Sequence, residues 1–160
     1  MNSINLHKAL DNINIPADWV GIRQVKETTT CLTIRDGSPE QNSIDIDQGI
    51  MVEVLTNGQF GYYGTHKLDY DSINNAAEKA YDIALNSSKY SNYSYTESVR
   101  PKAEGVYNSP YKIKNLNLDK LMNLLAQSNK ILKGSDKIVT AMSMARIVDM
   151  NMKYVSSNGS

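Results

Sequence analysis

The side chains best suited to chemistry in this sequence are few and scattered. There are two histidines, His7 and His66, far apart and each followed by a lysine. A zinc site needs three or four converging His, Cys, Asp or Glu ligands. Neither histidine begins a His-Glu-x-x-His segment or a longer-spaced relative, so no helix offers two imidazoles on one face. Both therefore read as surface residues. Cys31 is the only cysteine. Between Thr30 and Leu32 it reads as a small core hydrophobe in a strand rather than a reactive thiol. No Gly-x-Ser-x-Gly elbow occurs, and Ser156-Ser157-Asn158 is a turn before it is a nucleophile. Glu40, Asp45 and Asp47 fall on what should be a solvated face, with nothing to pair them into an acid/base couple. No catalytic, cofactor-binding or metal-binding residue is nominated.

Three further groups have types or spacings that could serve contact rather than catalysis. Gly58, Gly61 and Gly64 recur every third residue. They sit in a hairpin and not before a helix, so a phosphate cradle is a poor reading. Strand and turn geometry explains them first, and close approach of another backbone second. Tyr90, Tyr93 and Tyr95 are spaced by Ser and Asn in a stretch that reads as a mobile, solvated surface loop ahead of a partner contact. Met142, Met144, Met150 and Met152 read as core or as inter-domain surface.

Seventeen basic and seventeen acidic residues cancel to a formal charge of zero. No long Lys/Arg cluster appears, so the electrostatic footprint of a nucleic-acid binder or an anionic-membrane binder is missing. With 41% hydrophobic and 21% charged residues over 160 positions, the composition is that of a globular chain with one domain as the prior. The start, Met1 to Lys8, lacks the basic segment and apolar run of a signal peptide. No stretch approaches the roughly 18 apolar residues of a membrane span. A cytoplasmic protein is expected, with no membrane partner.

The elements that would carry these residues alternate in character along the chain. Ile4, Leu6, Leu10 and Ile13 predict a short first helix that Ser3 could cap. Trp19–Val25 and Thr28–Arg35 read as strands, followed by the Asp36-Gly37 turn. Asn42–Asp47 alternates polar and apolar, and Ile50–Leu55 reads as a more buried strand. Asn57-Gly58 then turns the chain into Gln59–Gly64. Five strands joined this way predict an antiparallel meander. Ile73, Ala76, Ala77, Ala80, Tyr81, Ala84 and Leu85 form one helical stripe, with Asp69 or Asp71 to cap it. The alanines would let this helix lie close to a sheet. Residues 86–103 read as a long loop ending at Arg100-Pro101. A further helix spans Leu118–Leu132, capped by Asn117 and closed near Gly134. Lys137–Val148 and Met150–Val155 read as two last strands. The expectation is an α+β, two-layer domain: a mainly antiparallel sheet with helices packed on one face. The chain stops at Ser156-Ser157-Asn158-Gly159-Ser160, the tip of a hairpin with no returning strand, which predicts a truncated chain.

The run from Ala17 to Leu85 resembles the N-terminal domain of the TldD/PmbA family, historically called modulators of DNA gyrase. The resemblance rests on Asp18-Trp19-Val20-Gly21-Ile22-Arg23, Thr30 to Gly37, Gln48-Gly49-Ile50-Met51-Val52-Glu53-Val54-Leu55, Asn57 to Thr65, and the alanine-rich helix that follows. Members often carry Arg where Glu53 stands. The Ser-Asn-Gly turn at the end resembles the entry into the family's second half. The resemblance implies a single N-terminal domain over residues 1–160 of a two-domain, zinc-dependent peptidase. The metal would be held by a His-Glu-x-x-x-His helix in a C-terminal half absent from this chain. It also implies a peptide substrate, the chain's own C-terminal domain as partner, and assembly as a homo- or heterodimer. By itself the chain is expected to be no enzyme and to hold no cofactor. Its role would be to wall the cleft and position the peptide, and the full-length parent would be the hydrolase. The competing reading is a stand-alone interaction module without peptidase activity.

Overall fold

The computed structural model describes residues 4–110 and 117–160. It contains α1 (Leu6–Asp11), β1 (Trp19–Arg35), β2 (Ser38–Thr56), β3 (Gln59–Thr65), α2 (Tyr70–Ser88), α3 (Leu118–Leu132) and β4 (Met142–Ser156). One turn of 3-10 helix lies at Glu97–Val99. The strands form one antiparallel sheet in the order β3-β2-β1-β4. The fold class is α+β, as the sequence predicts.

The expected five-strand meander is drawn with fewer, longer strands. Trp19–Val25 and Thr28–Arg35 are one strand, β1, and Asn42–Asp47 and Ile50–Leu55 are both part of β2. Lys137–Val148 and Met150–Val155 likewise contract to the single β4. Lys26-Glu27 and Gln48-Gly49 lie inside continuous strands, and Gly49 is not among the positive-φ glycines, so nothing there reverses the chain. The two hairpin turns do have the right chemistry. Asp36 and Gly37 both have positive φ (49° and 82°), as do Asn57 and Gly58 (49° and 71°). That is the geometry whose twist matches a two-residue hairpin.

The contacts divide into two compact units, one of residues 1–26, 48–106 and 151–160, the other of 27–47 and 107–150. In the first unit, Val20, Ile22, Ile50, Val52, Val54 and Val155 from the strands pack with Leu6 and Ala9 of α1 and Ile73, Ala76, Ala77 and Ala80 of α2. Asp69 caps α2, its carboxylate accepting from the Ser72 N–H at 2.7 Å. Ser3, expected to cap the first helix, lies outside the described residues. Asn5 caps α1, accepting from the Lys8 N–H at 3.1 Å. The β2–β3 register pairs Ile50 with Thr65, Val52 with Tyr63 and Val54 with Gly61. Side chains at alternate positions point to opposite faces, so Val52 and Val54, buried with α2, place Gly61 on the helix side. A Cβ at Gly61 would lie 1.9 Å from the Ala80 carbonyl oxygen and 2.7 Å from the Ala84 nitrogen. The helix therefore runs closer to β3 than any side chain at residue 61 would permit.

In the second unit, Leu32 and Ile34 of β1 are buried with Leu125 of α3, flanked by Leu118, Leu121, Met122 and Ala145. Asn117 caps α3 as its sequence predicts, accepting from the Lys120 N–H at 2.8 Å. The residue that ties this unit together is polar. Asn129 of α3 is 1% exposed. Its amide donates to the Ile34 and Ala141 carbonyls (3.2 and 3.0 Å) and accepts from the Gly37 N–H at 2.8 Å. One side chain thus satisfies three backbone groups around the β1–β2 turn. Beside it, Asp36 accepts from Lys133 at 2.6 Å and from the Ala141 N–H at 2.9 Å. The Lys133 contact first, then the Ala141 amide, hold the Asp36 carboxyl below the usual carboxylate range. Asn129→Ala takes a partner from each of those groups; the Ala141 carbonyl keeps the Asp36 N–H at 2.9 Å, and a buried group left unsatisfied costs about 1–3 kcal/mol. With water reaching some of them, a loss of about 2 kcal/mol is expected in urea unfolding, against a negligible loss for the exposed Asn123→Ala on the same helix.

Among the described residues no helix is long and apolar enough to cross a membrane.

Candidate functional site

The face of the first unit's sheet opposite α2 carries Met51, Glu53 and Leu55 of β2, paired with Gly64, Tyr62 and Phe60 of β3. An acidic residue in the middle of a buried strand demands a partner, and Arg100 supplies it. The Glu53 side chain is 7% exposed and the Arg100 side chain 37%. Arg100 Nε donates to Glu53 Oε1 at 3.0 Å, and one of its terminal nitrogens donates to the same oxygen. The guanidinium also lies over the Phe60 ring, 4.9 Å from its centroid. Tyr95 approaches Phe60 from the same segment (centroids 5.7 Å apart), and its N–H donates to the Gly58 carbonyl at 2.8 Å. Behind Phe60 stands the buried Trp19, edge to face at 6.0 Å. The Arg100 carbonyl accepts from the Asn158 amide at 2.8 Å, which ties the segment to the turn after β4. Residues 93–100 thus lie on the sheet, fastened by one ion pair, one cation–π contact and the tilted Tyr95–Phe60 ring contact.

Gly21, Arg23, Met51, Glu53, Tyr62, Arg100 and Tyr154 line a cleft of about 160 Å³ on this face. Tyr62 Oη accepts from Arg100 at 3.5 Å. Burial first, then the Glu53 charge, push the phenols of Tyr62 and Tyr154 upward, so both stay protonated. The Glu53 hydrogen bond raises Arg100 above its ordinary value. Arg23 sits 6.0 Å from the Tyr154 ring centroid and has no carboxylate partner among the described residues. The cleft therefore offers a guanidinium and two phenol hydroxyls, a set suited to holding a carboxylate or a peptide carbonyl.

A second, wider groove of about 540 Å³ runs beside β3 and the start of α2, lined by Tyr63, Thr65, His66, Lys67, Asp71 and Lys79 among others. Lys79 is engaged by Tyr63, donating to its hydroxyl at 3.2 Å and lying 4.7 Å from the ring centroid.

The residues weighed in the sequence are not brought together. His66 lines the groove and His7 lies exposed on α1, and no group of three potential metal ligands exists among the described residues. These residues do not fit a zinc ion. Cys31 departs from its expected core position: it is half-buried, and its thiol lies 3.4 Å from the Gln41 amide oxygen. The core places on β1 belong to its neighbours Leu32 and Ile34. Glu40, Asp45 and Asp47 are exposed, as expected. Glu40 accepts from Arg35 at 2.7 Å. Gly61 serves close helix packing, the second of its two readings. Met142, Met144, Met150 and Met152 are about half exposed and so are not core. They share one face of β4, opposite Ser143, Ala145 and Val155, which take the buried places. Tyr90 is solvated, while the Tyr93 and Tyr95 rings meet edge to face with centroids 4.7 Å apart. Sequence reasoning passed over Arg100 and Tyr154. The available signal was Glu53 itself, a carboxylate amid Ile50–Leu55 that had to find a cation.

Residues 20–84 match the PmbA/TldA metallopeptidase domain 1 family. Among solved structures, a protein from Bacteroides thetaiotaomicron described as a candidate modulator of DNA gyrase is similar, with 17% identity and a TM-score of 0.65. The match covers 96% of this chain and 35% of that one. A candidate modulator of a DNA gyrase from Thermotoga maritima is similar at 16% identity and a TM-score of 0.59, covering 89% and 32%. TldE from Thermococcus kodakarensis is similar at 16% and 0.63, covering 89% and 32%. The chain spans about a third of the length of these structures. No curated protein matches in sequence.

Proposed function

We propose, from the match of residues 20–84 to the PmbA/TldA metallopeptidase domain 1 family, that this chain is the non-catalytic, substrate-positioning and assembly domain of a peptidase of that kind. The observation that carries the reading is the family match across β1, β2, β3 and most of α2. The cleft supports it, since a guanidinium and two protonated phenols can hold a peptide's carboxylate or carbonyl without cleaving it. In this reading the zinc and its His-Glu-x-x-x-His helix belong to polypeptide outside these residues, because the described donors do not converge. The substrate is a peptide or an unfolded segment, and the working protein is a homo- or heterodimer. The free thiol of Cys31 suits a reducing cytoplasm.

The test is to read the frame beyond Ser160 and assay the product. We expect a His-Glu-x-x-x-His segment, zinc-dependent hydrolysis of unfolded peptides by the longer protein, and none by residues 1–160. Tight one-to-one zinc binding by residues 1–160 alone would sink the reading. A frame that stops would favour the second reading, a stand-alone interaction module. The half-exposed methionines of β4 are the observation that favours it. Direct DNA contact draws no support from a net charge of zero.

A further inference from the structure

In the strand order β3-β2-β1-β4, β2 has a neighbour on each side only where β3 reaches. The β3 pairing runs from Thr56–Gln59 to Ile50–Thr65 and stops there. Below Ile50, β2 continues to Ser38 with β1 on one side and no other strand beside it among the described residues. Every second residue of that stretch turns its N–H and C=O away from β1. The α3 core takes its strand residues from β1 and β4, not from β2. From Gln41 to Gln48 only Ser43 is even half-buried.

The side chains along this free edge are patterned. Ile44 and Ile46 are 59% and 66% exposed on one face. Asp45 and Asp47 alternate with them on the other. Among the described residues neither aspartate has a cationic partner; Asp45 accepts from the Ser43 hydroxyl at 3.1 Å, whereas Glu40 nearby is already paired with Arg35. A bare edge with exposed isoleucines invites strand addition, and the two unpaired carboxylates decide which strand. A second copy pairing edge to edge would bring aspartates against aspartates, and like charges across strands are unfavourable. An acidic strand is rejected for the same reason.

We propose that the free edge of β2 over residues 41–47 takes up an extended peptide that alternates apolar with Lys or Arg residues. The apolar side chains lie along Ile44 and Ile46, the basic ones along Asp45 and Asp47, and main-chain hydrogen bonds supply the rest. The peptide's identity as a substrate rests on the positioning role proposed above; the edge and its charge pattern do not.

The experiment uses the whole 160-residue chain, isotope-labelled, titrated with a capped ten-residue peptide of alternating valine and lysine. Alternate amides between residues 41 and 47 should gain protection from hydrogen exchange. Methylating alternate peptide nitrogens, which removes main-chain donors without touching the protein, should weaken binding about tenfold or more. An alternating valine–glutamate peptide should bind at least about tenfold more weakly, and Asp45→Asn with Asp47→Asn should erase that preference and flatten the salt dependence. Equal binding of the methylated or acidic peptide overturns the proposal, as does protection confined to β3 or β4. Protection of residues 41–47 that rises with protein concentration alone would assign the edge to a second copy instead. Zinc-dependent hydrolysis by the longer protein without protection here sinks this inference and leaves the peptidase reading standing. Protection without hydrolysis does the reverse.

Discussion

Gly61→Ala is expected to lower the unfolding free energy by about 3 kcal/mol, at or beyond the upper end of ordinary overpacking. The reason is which atoms the new methyl would meet. At 1.9 Å from the Ala80 carbonyl oxygen and 2.9 Å from its carbon, the obstruction is helix backbone, not a side chain that can rotate away. Relief requires α2 to shift from β3, which loosens Ile73, Ala76, Ala77 and Ala80 together. Gly64→Ala is the control. Its Cβ would meet only the Ile50 carbonyl oxygen, at 3.8 Å, so the change should be within about 0.5 kcal/mol. Urea unfolding of both variants decides the matter. A Gly61→Ala midpoint no lower than that of Gly64→Ala would mean that the helix is not held as close as the structure draws it.

Arg100→Ala is expected to be nearly as costly, about 3 kcal/mol, because it strands the Glu53 carboxylate on a 7%-exposed side chain. The reverse change, Glu53→Gln, leaves a cation that is 37% exposed and can turn to water, so it should cost less, about 1 kcal/mol. The double variant should recover much of the loss of Arg100→Ala, since the buried charge is gone. Such an ordering separates a charge penalty from lost packing on Phe60, which the double variant would not restore. Arg100→Ala should also speed proteolytic nicking between residues 89 and 103, the segment that this pair fastens. Equal costs for the two single variants would show that burial of Glu53 is not what makes Arg100 matter.

Much of the local structure was legible because local chemistry decides it. The two positive-φ turns, the Asp69 and Asn117 caps and the alanine stripe of α2 each rest on residues a few positions apart. The strand count misled for an instructive reason. The apparent breaks near residues 26, 48 and 150 carry no turn, yet they fall where the chain passes from one compact unit to the other. There the strand leaves one core for another, with Ile22, Val52 and Val155 on one side and Leu32 and Ile34 on the other. The change in hydrophobic pattern was real, although it marked a change of core and not an end of strand. What stayed hidden depends on distant pairing. Asn129 reads as a polar residue on an amphipathic helix until three backbone groups from other elements meet it. Arg100 reads as the end of a loop until Glu53, far back in the sequence, is found beneath it.

The strand order has a consequence for the birth of the chain. β1 lies inside the sheet, between β2 and β4, but β4 is made after all the other described elements. On the ribosome, β1 can close its hairpin with β2 soon after synthesis, while its other side waits through α2, the tyrosine segment and α3. At a usual pace of synthesis that wait is about ten seconds. Throughout it, Leu32 and Ile34 lie beside an open row of amides and carbonyls, the kind of surface that nascent-chain chaperones shield. The nascent protein is therefore most exposed to misassembly through its earliest strand, and only the emergence of Met142–Ser156 closes that window.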